Sequence, residues 1–306
     1  MPLRLLRSTK QRHLSTPDKL LSLSHRRVSN ILITEIKISV PKLPTEFENY
    51  KIVQLTDLHF GKSTSESHIN KTFQLTNELN PDLVCVTGDL IQLSRLAVDR
   101  KVIELFGPNA AKWREHQQAV REKTIKLGEL FQTIQCRDGI VGVFGNHDYK
   151  EGIRHFRKNI QIRWLVNDCF EIKRGQESIL ISGVDDYRKG KPNLKRITNL
   201  LSDKESFRLL LSHNPDIALH AEQELIHKHD LVLAGHTHGG QICLPFWGPI
   251  ITRTKQKKHI KGLSYHKSPN NLTTPFYTSH GIGCGLVDLR LFCPAEIVVV
   301  KLHKSS

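Results

Sequence analysis

Six cysteines, Cys85, Cys136, Cys169, Cys243, Cys284 and Cys293, are scattered through the chain with no CxxC pair and no zinc-finger spacing. That excludes a thiolate metal knuckle and a disulfide scaffold, and several of these thiols sit in apolar runs where a reduced cysteine packs as a small hydrophobe. No apolar run is long enough for a signal peptide or a membrane span, although Arg4, Arg7, Lys10 and Arg12 supply early positive charge. A soluble or peripheral, cytoplasmic chain is the expectation. Aromatic residues make up only 7%, few for the stacking platforms that bind single-stranded nucleic acid, which argues against a nucleic-acid partner. Internal repeats and low-complexity linkers are also missing. The economical division is therefore a basic leader over residues 1–30 and one domain over 31–306.

What is present fits a folded α/β chain: 306 residues, 38% hydrophobic and 25% charged. The formal net charge of +15 is concentrated. Residues 1–40 hold eight Lys/Arg against Asp18 and Glu35, and residues 251–270 hold six with no acid. A localised positive field suits a phosphate-bearing partner, an anionic membrane surface or nucleic acid; a solvated tail and loop explain the same counts. In the leader, Leu3, Leu5, Leu6, Leu14, Leu20 and Leu21 fit one face of a surface-lying helix or a flexible arm.

Short β-branched runs bounded by Gly, Pro or Asp predict strands over 31–40, 50–56, 82–87, 139–144, 178–182, 207–212, 230–234, 275–279 and 296–302. So many strands point to a sheet-rich α/β sandwich. One helix is strongly periodic, with Trp113, Val120, Thr124, Leu127, Phe131 and Ile134 on one stripe after the breaker Gly107-Pro108-Asn109. That stripe reads as core.

Several predicted strands run directly into metal-binding side chains. Leu55-Thr56 leads to Asp57 and His59, Val86-Thr87-Gly88 to Asp89, and Val143-Phe144-Gly145 to Asn146-His147-Asp148. Likewise Leu211-Ser212 leads to His213, and Leu233-Ala234-Gly235 to His236-Thr237-His238. Ligand sites of α/β sheets gather at the carboxyl ends of strands, so five such endings on one edge would build one site. Its donors are imidazoles and carboxyl or carboxamide oxygens with no thiol, a mix that favours Mn, Fe, Zn or Co. Seven ligands are too many for one ion and suit two, bridged by one carboxylate. Two such ions, about 3.5–4 Å apart in two-metal sites, can clamp a phosphate and activate a water.

In this order the motifs Asp-x-His, Gly-Asp, Gly-Asn-His-Asp, His and Gly-His-x-His resemble the signature of the calcineurin-like metallophosphoesterase superfamily. The similarity extends to its single-domain bacterial branch through Gly235-His236-Thr237-His238-Gly239-Gly240-Gln241, Gly183-Val184-Asp185-Asp186, Gly281-Ile282-Gly283 and Cys293-Pro294-Ala295-Glu296, and covers roughly residues 31–302. The stretch between Asp89 and Asn146 looks expanded. The resemblance implies a four-layer αββα sandwich of two mixed sheets. It also implies two divalent ions, most simply Mn: one held by Asp57, His59, Asp89 and His238, the other by Asp89, Asn146, His213 and His236. His147 would serve the leaving oxygen as catalytic acid, with Asp148 orienting its imidazole.

Substrate choice is read from what the metal ligands leave over. Leu244-Pro245-Phe246-Trp247 and the basic run 253–267 follow Gln241, and the expanded 96–106 stretch and the Trp113 helix follow Asp89. An apolar lip beside positive charge suits an acylated, phosphorylated substrate at a membrane surface. The resemblance then implies hydrolysis of UDP-2,3-diacylglucosamine to UMP and the lipid monophosphate in lipid A synthesis, at the inner face of the inner membrane. The alternatives are a generic phosphodiesterase acting on small diesters or cyclic nucleotides, and a nuclease.

Overall fold

The computed structural model describes residues 20–304, apart from 29, 42, 62, 94–110, 203–204 and 286. One sheet runs edge to edge as Leu20–Val28 (β1), Ile31–Val40 (β2), Ala295–Lys304 (β17), Lys51–Leu55 (β3), Leu83–Thr87 (β5), Ile140–Val143 (β7) and Arg163–Trp164 (β8). Its pairings are antiparallel for β1/β2 and β17/β3 and parallel for the rest. The second sheet runs Gly262–Lys267 (β15), Thr273–Thr278 (β16), Leu231–Ala234 (β12), Glu205–Leu211 (β11), Glu177–Gly183 (β10) and Asp168–Arg174 (β9), antiparallel only at its two edges. Two short ribbons pair Phe60–Gly61 (β4) with Ile91–Gln92 (β6) and Cys243–Leu244 (β13) with Gly248–Pro249 (β14).

Strict alternation along the strands builds the layers. In β3 and β5, Ile52, Leu83 and Cys85 enter the cluster between the sheets, while Val53, Val84 and Val86 face the helices. In β11 and β12, Leu209, Leu211, Leu231 and Leu233 close the central cluster from the other side, and Leu210 and Val232 point outward. Helices Glu66–Glu78 (α1), Ala111–Phe131 (α2) and Ile153–Asn159 (α4) cover the first sheet through Ile69, Phe73, Leu127, Phe131 and Phe156. Leu194–Thr198 (α5) and nearby 3-10 turns cover the second through Leu194, Ile197, Ile217 and Ile226. The expected four-layer αββα sandwich of mixed sheets is what forms.

All nine predicted strands are present. Val120, Thr124, Leu127 and Phe131 of the periodic helix are buried, so its described stripe is core; the side chain of Trp113 and the 96–106 stretch lie outside the described residues. One boundary needs correction: residues 20–28, expected as leader, form β1 and pair with β2 from Val28–Ile31 outward. Leu20 and Leu21 thus belong to a strand, which is the edge of this sheet among the described residues. All six cysteines are free. Among the described residues no helix is long and apolar enough to cross a membrane.

Candidate metal centre

The carboxyl ends of β3, β5, β7, β11 and β12 lie along one edge of the sandwich, held level by register: Leu55 pairs with Val86, Thr87 with Val143, and Leu211 with Leu233. Beneath the site, the buried Gln54 of β3 donates through Nε2 to Thr87 Oγ1 at 2.8 Å and to Ala234 O at 3.1 Å, stitching the two sheets together. Above it the strands give way to sharp turns. Asp57, His59, Asp89, His236 and His238 all have positive φ, between 44° and 70°. Non-glycine residues rarely adopt this left-handed region, and it costs on the order of 1–3 kcal/mol each, so its concentration in five of seven ligand candidates marks a functional site.

Two glycines show how tightly the turns are packed. A Cβ on Gly145 would lie 2.3 Å from Asp89 Oδ1, and one on Gly235 would lie 2.5 Å from Asp57 Oδ2. Neither approach leaves room for a side chain.

The ligand candidates form two buried groups, Asp57 with His59 and His238, and Asp89 with His213 and His236. In the first, His59 Nε2 and His238 Nε2 are 3.0 Å apart, and Asp57 Oδ1 is 3.4 Å from His238 Nε2. In the second, His213 Nε2 and His236 Nδ1 are 3.2 Å apart, and Asp89 Oδ2 is 3.3 Å from His213 Nε2. The same Asp89 Oδ2 lies 3.7 Å from His59 Nε2, so one oxygen faces both groups.

Several of the remaining donors and acceptors on these side chains are committed elsewhere, although His59 Nδ1 is not. Asp57 Oδ2 accepts from His236 N and Thr56 Oγ1 (both 2.9 Å), Asp89 Oδ1 accepts from His147 N (2.7 Å), and His213 Nδ1 donates to Thr87 O (2.7 Å). Asp57 Oδ1 and Asn146 Oδ1 are buried with no hydrogen-bond partner. A buried acceptor without a donor is costly, and a cation satisfies it.

Electrostatics point the same way. Burial pushes Asp57 up to about 6, reinforced by the Asp89 charge against the pull of His213. Burial holds His59, His236 and His238 well below the usual imidazole range, leaving neutral rings with a lone pair to give. Nitrogen and oxygen donors, orphaned oxygens and one shared carboxylate fit a pair of borderline or hard divalent ions.

His147 is half-buried at the start of Asn146–Glu151 (α3), its ring edge-on to His59 with centroids 5.0 Å apart. The fully buried Asp148 accepts from Leu90 N (2.9 Å) through Oδ1, and from Asp89 N (2.9 Å) and Gly145 N (2.8 Å) through Oδ2. Burial and the nearby Asp89 push its carboxyl up to about 8, against those N–H donors. These bonds fix the backbone that carries Asp89, a different task from the imidazole orientation expected of Asp148.

Three arginines stand beside the ligands, and two of the three escaped the sequence reading. Arg188 Nη1 is 3.3 Å from His236 Nε2, and Arg253 lies beside His238, close to where a Cβ on Gly285 would be. Arg290 donates to the carbonyls of His280, Gly281 and Gly283 behind His238. Arg253 belongs to the basic run already noted; nothing in the local pattern singles out Arg188 or Arg290.

A family model for calcineurin-like phosphoesterases matches residues 50–240. The chain is 30% identical over 286 residues to the uncharacterised metallophosphoesterase YkuE of Bacillus subtilis, covering 89% of this chain and 86% of that one. It is 31% identical over 291 residues to the uncharacterised metallophosphoesterase Cj0846 of Campylobacter jejuni (92% and 66%), and 28% identical over 263 residues to the phosphodiesterase YaeI of Escherichia coli (83% and 82%). With its two histidine–carboxylate groups inside the matched span, the chain belongs to the calcineurin-like phosphoesterase family and is a metal-dependent phosphohydrolase.

Proposed function

We propose that the protein hydrolyses a phosphodiester or pyrophosphate bond at a dinuclear centre. Asp57, His59, Asp89 and His238 would hold one ion and Asp89, Asn146, His213 and His236 the other. The observation that carries this reading is Asp89 Oδ2, which lies within 3.7 Å of ring nitrogens from both groups while Oδ1 is engaged by His147 N. When bound, the ions supply an activated water and positive charge for the phosphate. The chain's own part is to hold the ligands in fixed turns and to offer His147 as the acid that protonates the leaving oxygen. That ring is half-buried and next to His59.

For the substrate we propose UDP-2,3-diacylglucosamine, cleaved to UMP and the lipid monophosphate at the cytoplasmic face of the inner membrane. What supports an acylated substrate is the rim. Phe246 (107% exposed), Trp247 (86%), Ile250 (59%) and Ile251 (63%) stand in solvent, far more apolar surface than a loop needs. Ile250 and Ile251 also line a cavity of about 150 Å³ that includes His238 and Arg253, so the apolar rim is continuous with the site. Lys255, Lys257, Lys258 and Lys261 follow directly, a charge pattern suited to an anionic bilayer. A generic phosphodiesterase is the second reading, favoured by the relative named as one.

The test is release of UMP from the lipid nucleotide in detergent micelles by Mn²⁺-loaded protein. UMP release supports the lipid reading. Turnover of bis(p-nitrophenyl) phosphate without UMP release rejects it in favour of the generic enzyme.

A further inference from the structure

Arg188 and Arg253 each lie beside one of the two ligand groups. Arg188 Nη1 reaches His236 of the second group at 3.3 Å. A Cβ on Gly285 would sit 2.9 Å from Arg253 Nη1 and 3.1 Å from His238 Nε2, so Arg253 occupies space next to the first group that only a glycine leaves open. Arg253 is half-buried and feels the charges of Asp89, Asp57 and Arg188. Among the described residues neither guanidinium makes an ion pair with a carboxylate.

Both side chains hang from loops fixed by buried aspartates. Asp186 Oδ2 accepts from Arg188 N (2.9 Å) and Lys189 N (2.6 Å), and Asp216 Oδ1 accepts from Thr254 Oγ1 and from Gln256 N (2.8 Å). The carboxylates thus bind backbone and hydroxyl, and leave the guanidiniums to face the site. His236 would ligate through Nδ1, the atom that faces His213. Nε2 then carries the ring proton, offers Arg188 no acceptor, and leaves its N–H groups to another anion.

We infer that Arg188 and Arg253 form a second anion subsite beside the metal centre, built for the non-scissile phosphate of a diphosphate substrate. This rests on the phosphohydrolase reading and specifies its substrate class. Two cations close enough for Arg253 to feel the charge of Arg188, each beside a metal-ligand group and neither paired with a carboxylate, are suited to an anion between them. The planar, multi-donor guanidinium matches phosphate oxygens in a way that lysine does not. A simple diester fills the metal centre alone, whereas a diphosphate fills both places.

The test measures binding apart from turnover. Calorimetric titration of Mn²⁺-loaded protein with inorganic pyrophosphate and with inorganic phosphate would compare wild type, Arg253→Met, Arg188→Met and, as a control for bulk charge, Lys71→Met on the exposed face of α1. Each arginine variant should weaken pyrophosphate binding by about 10- to 100-fold, the loss of one charge-assisted contact set. Phosphate binding should weaken less, and Arg253→Lys should recover only part of the loss. Metal content by elemental analysis should stay at the wild-type level in all four. Pyrophosphate affinity within about two-fold of wild type in both arginine variants, or equal losses for phosphate and pyrophosphate, would overturn the subsite. Absence of turnover of both the diester and the lipid nucleotide by wild type, with pyrophosphate binding still dependent on both arginines, would count against the hydrolase reading and leave the subsite standing.

Discussion

Replacing Asp148 by Asn separates a scaffold role from a role in orienting the catalytic imidazole. In the structure one carboxylate serves three backbone N–H groups, those of Leu90, Asp89 and Gly145 at 2.8–2.9 Å, in a site with no solvent access. Asparagine keeps a single carbonyl oxygen. Its best placement is at Oδ2, where it retains Asp89 N and Gly145 N, and this turns the amide NH₂ toward the N–H of Leu90. One hydrogen bond is lost and one buried donor is left facing another, about 2–4 kcal/mol together. For a chain of this size that is roughly 3–6 °C in the melting temperature of the metal-loaded protein. The turn carrying Asp89 also loosens, so metal affinity should fall about 10- to 100-fold, as for other residues behind a ligand. Differential scanning calorimetry and metal titration read both quantities. A variant that melts with wild type and binds metal normally, yet loses turnover, would refute the scaffold role and restore the orienting one.

Substituting His147 by Gln should keep both ions and lower kcat by about 10²–10⁴-fold for a substrate with a poor leaving group, as removal of a general acid does; loss of metal on elemental analysis would make His147 a ligand instead. Metal loading at neutral pH should release protons, because Asp89 and Asp57 overcome burial and hold His213 protonated in the metal-free protein. Calorimetry in buffers of different ionisation enthalpy detects this, and buffer-independent heats would contradict it. Burial pushes Glu296 upward, but His280 and hydrogen bonds from Thr34, Tyr277 and the His280 N–H outweigh it, and its carboxyl lies below the usual range. Its contribution to stability is therefore present above about pH 4.5 and is lost as the pH falls through the lower folded value. Glu296→Gln should lack this acid limb, and an unchanged pH profile would reject the assignment.

The ligand endings were legible because a parallel strand buried on both faces is a short β-branched run, and the polar residue that ends it stands out. Edge strands do not announce themselves this way. In β9 only Ile172 of Asp168–Arg174 is buried, and β15 is mostly half-buried. Neither is among the predicted strands, and the basic β1 reads as part of the leader. Asp148 was placed by its sequence neighbour His147, yet two of its three backbone hydrogen bonds come from a turn 58 and 59 residues away, a pairing that no local pattern encodes. The same holds for Arg188, whose approach to His236 spans 48 residues. The rim was legible as an apolar lip, and the fold leaves Phe246 and Trp247 exposed there.

The central claim is that Asp89 joins two metal sites into one centre. Elemental analysis of wild type, Asp57→Asn and Asp89→Asn, each reconstituted with Mn²⁺ and freed of excess, tests it most directly. The account predicts about two ions per chain for wild type, about one for Asp57→Asn and fewer than one for Asp89→Asn. A single ion in wild type, or equal losses in the two variants, would contradict it.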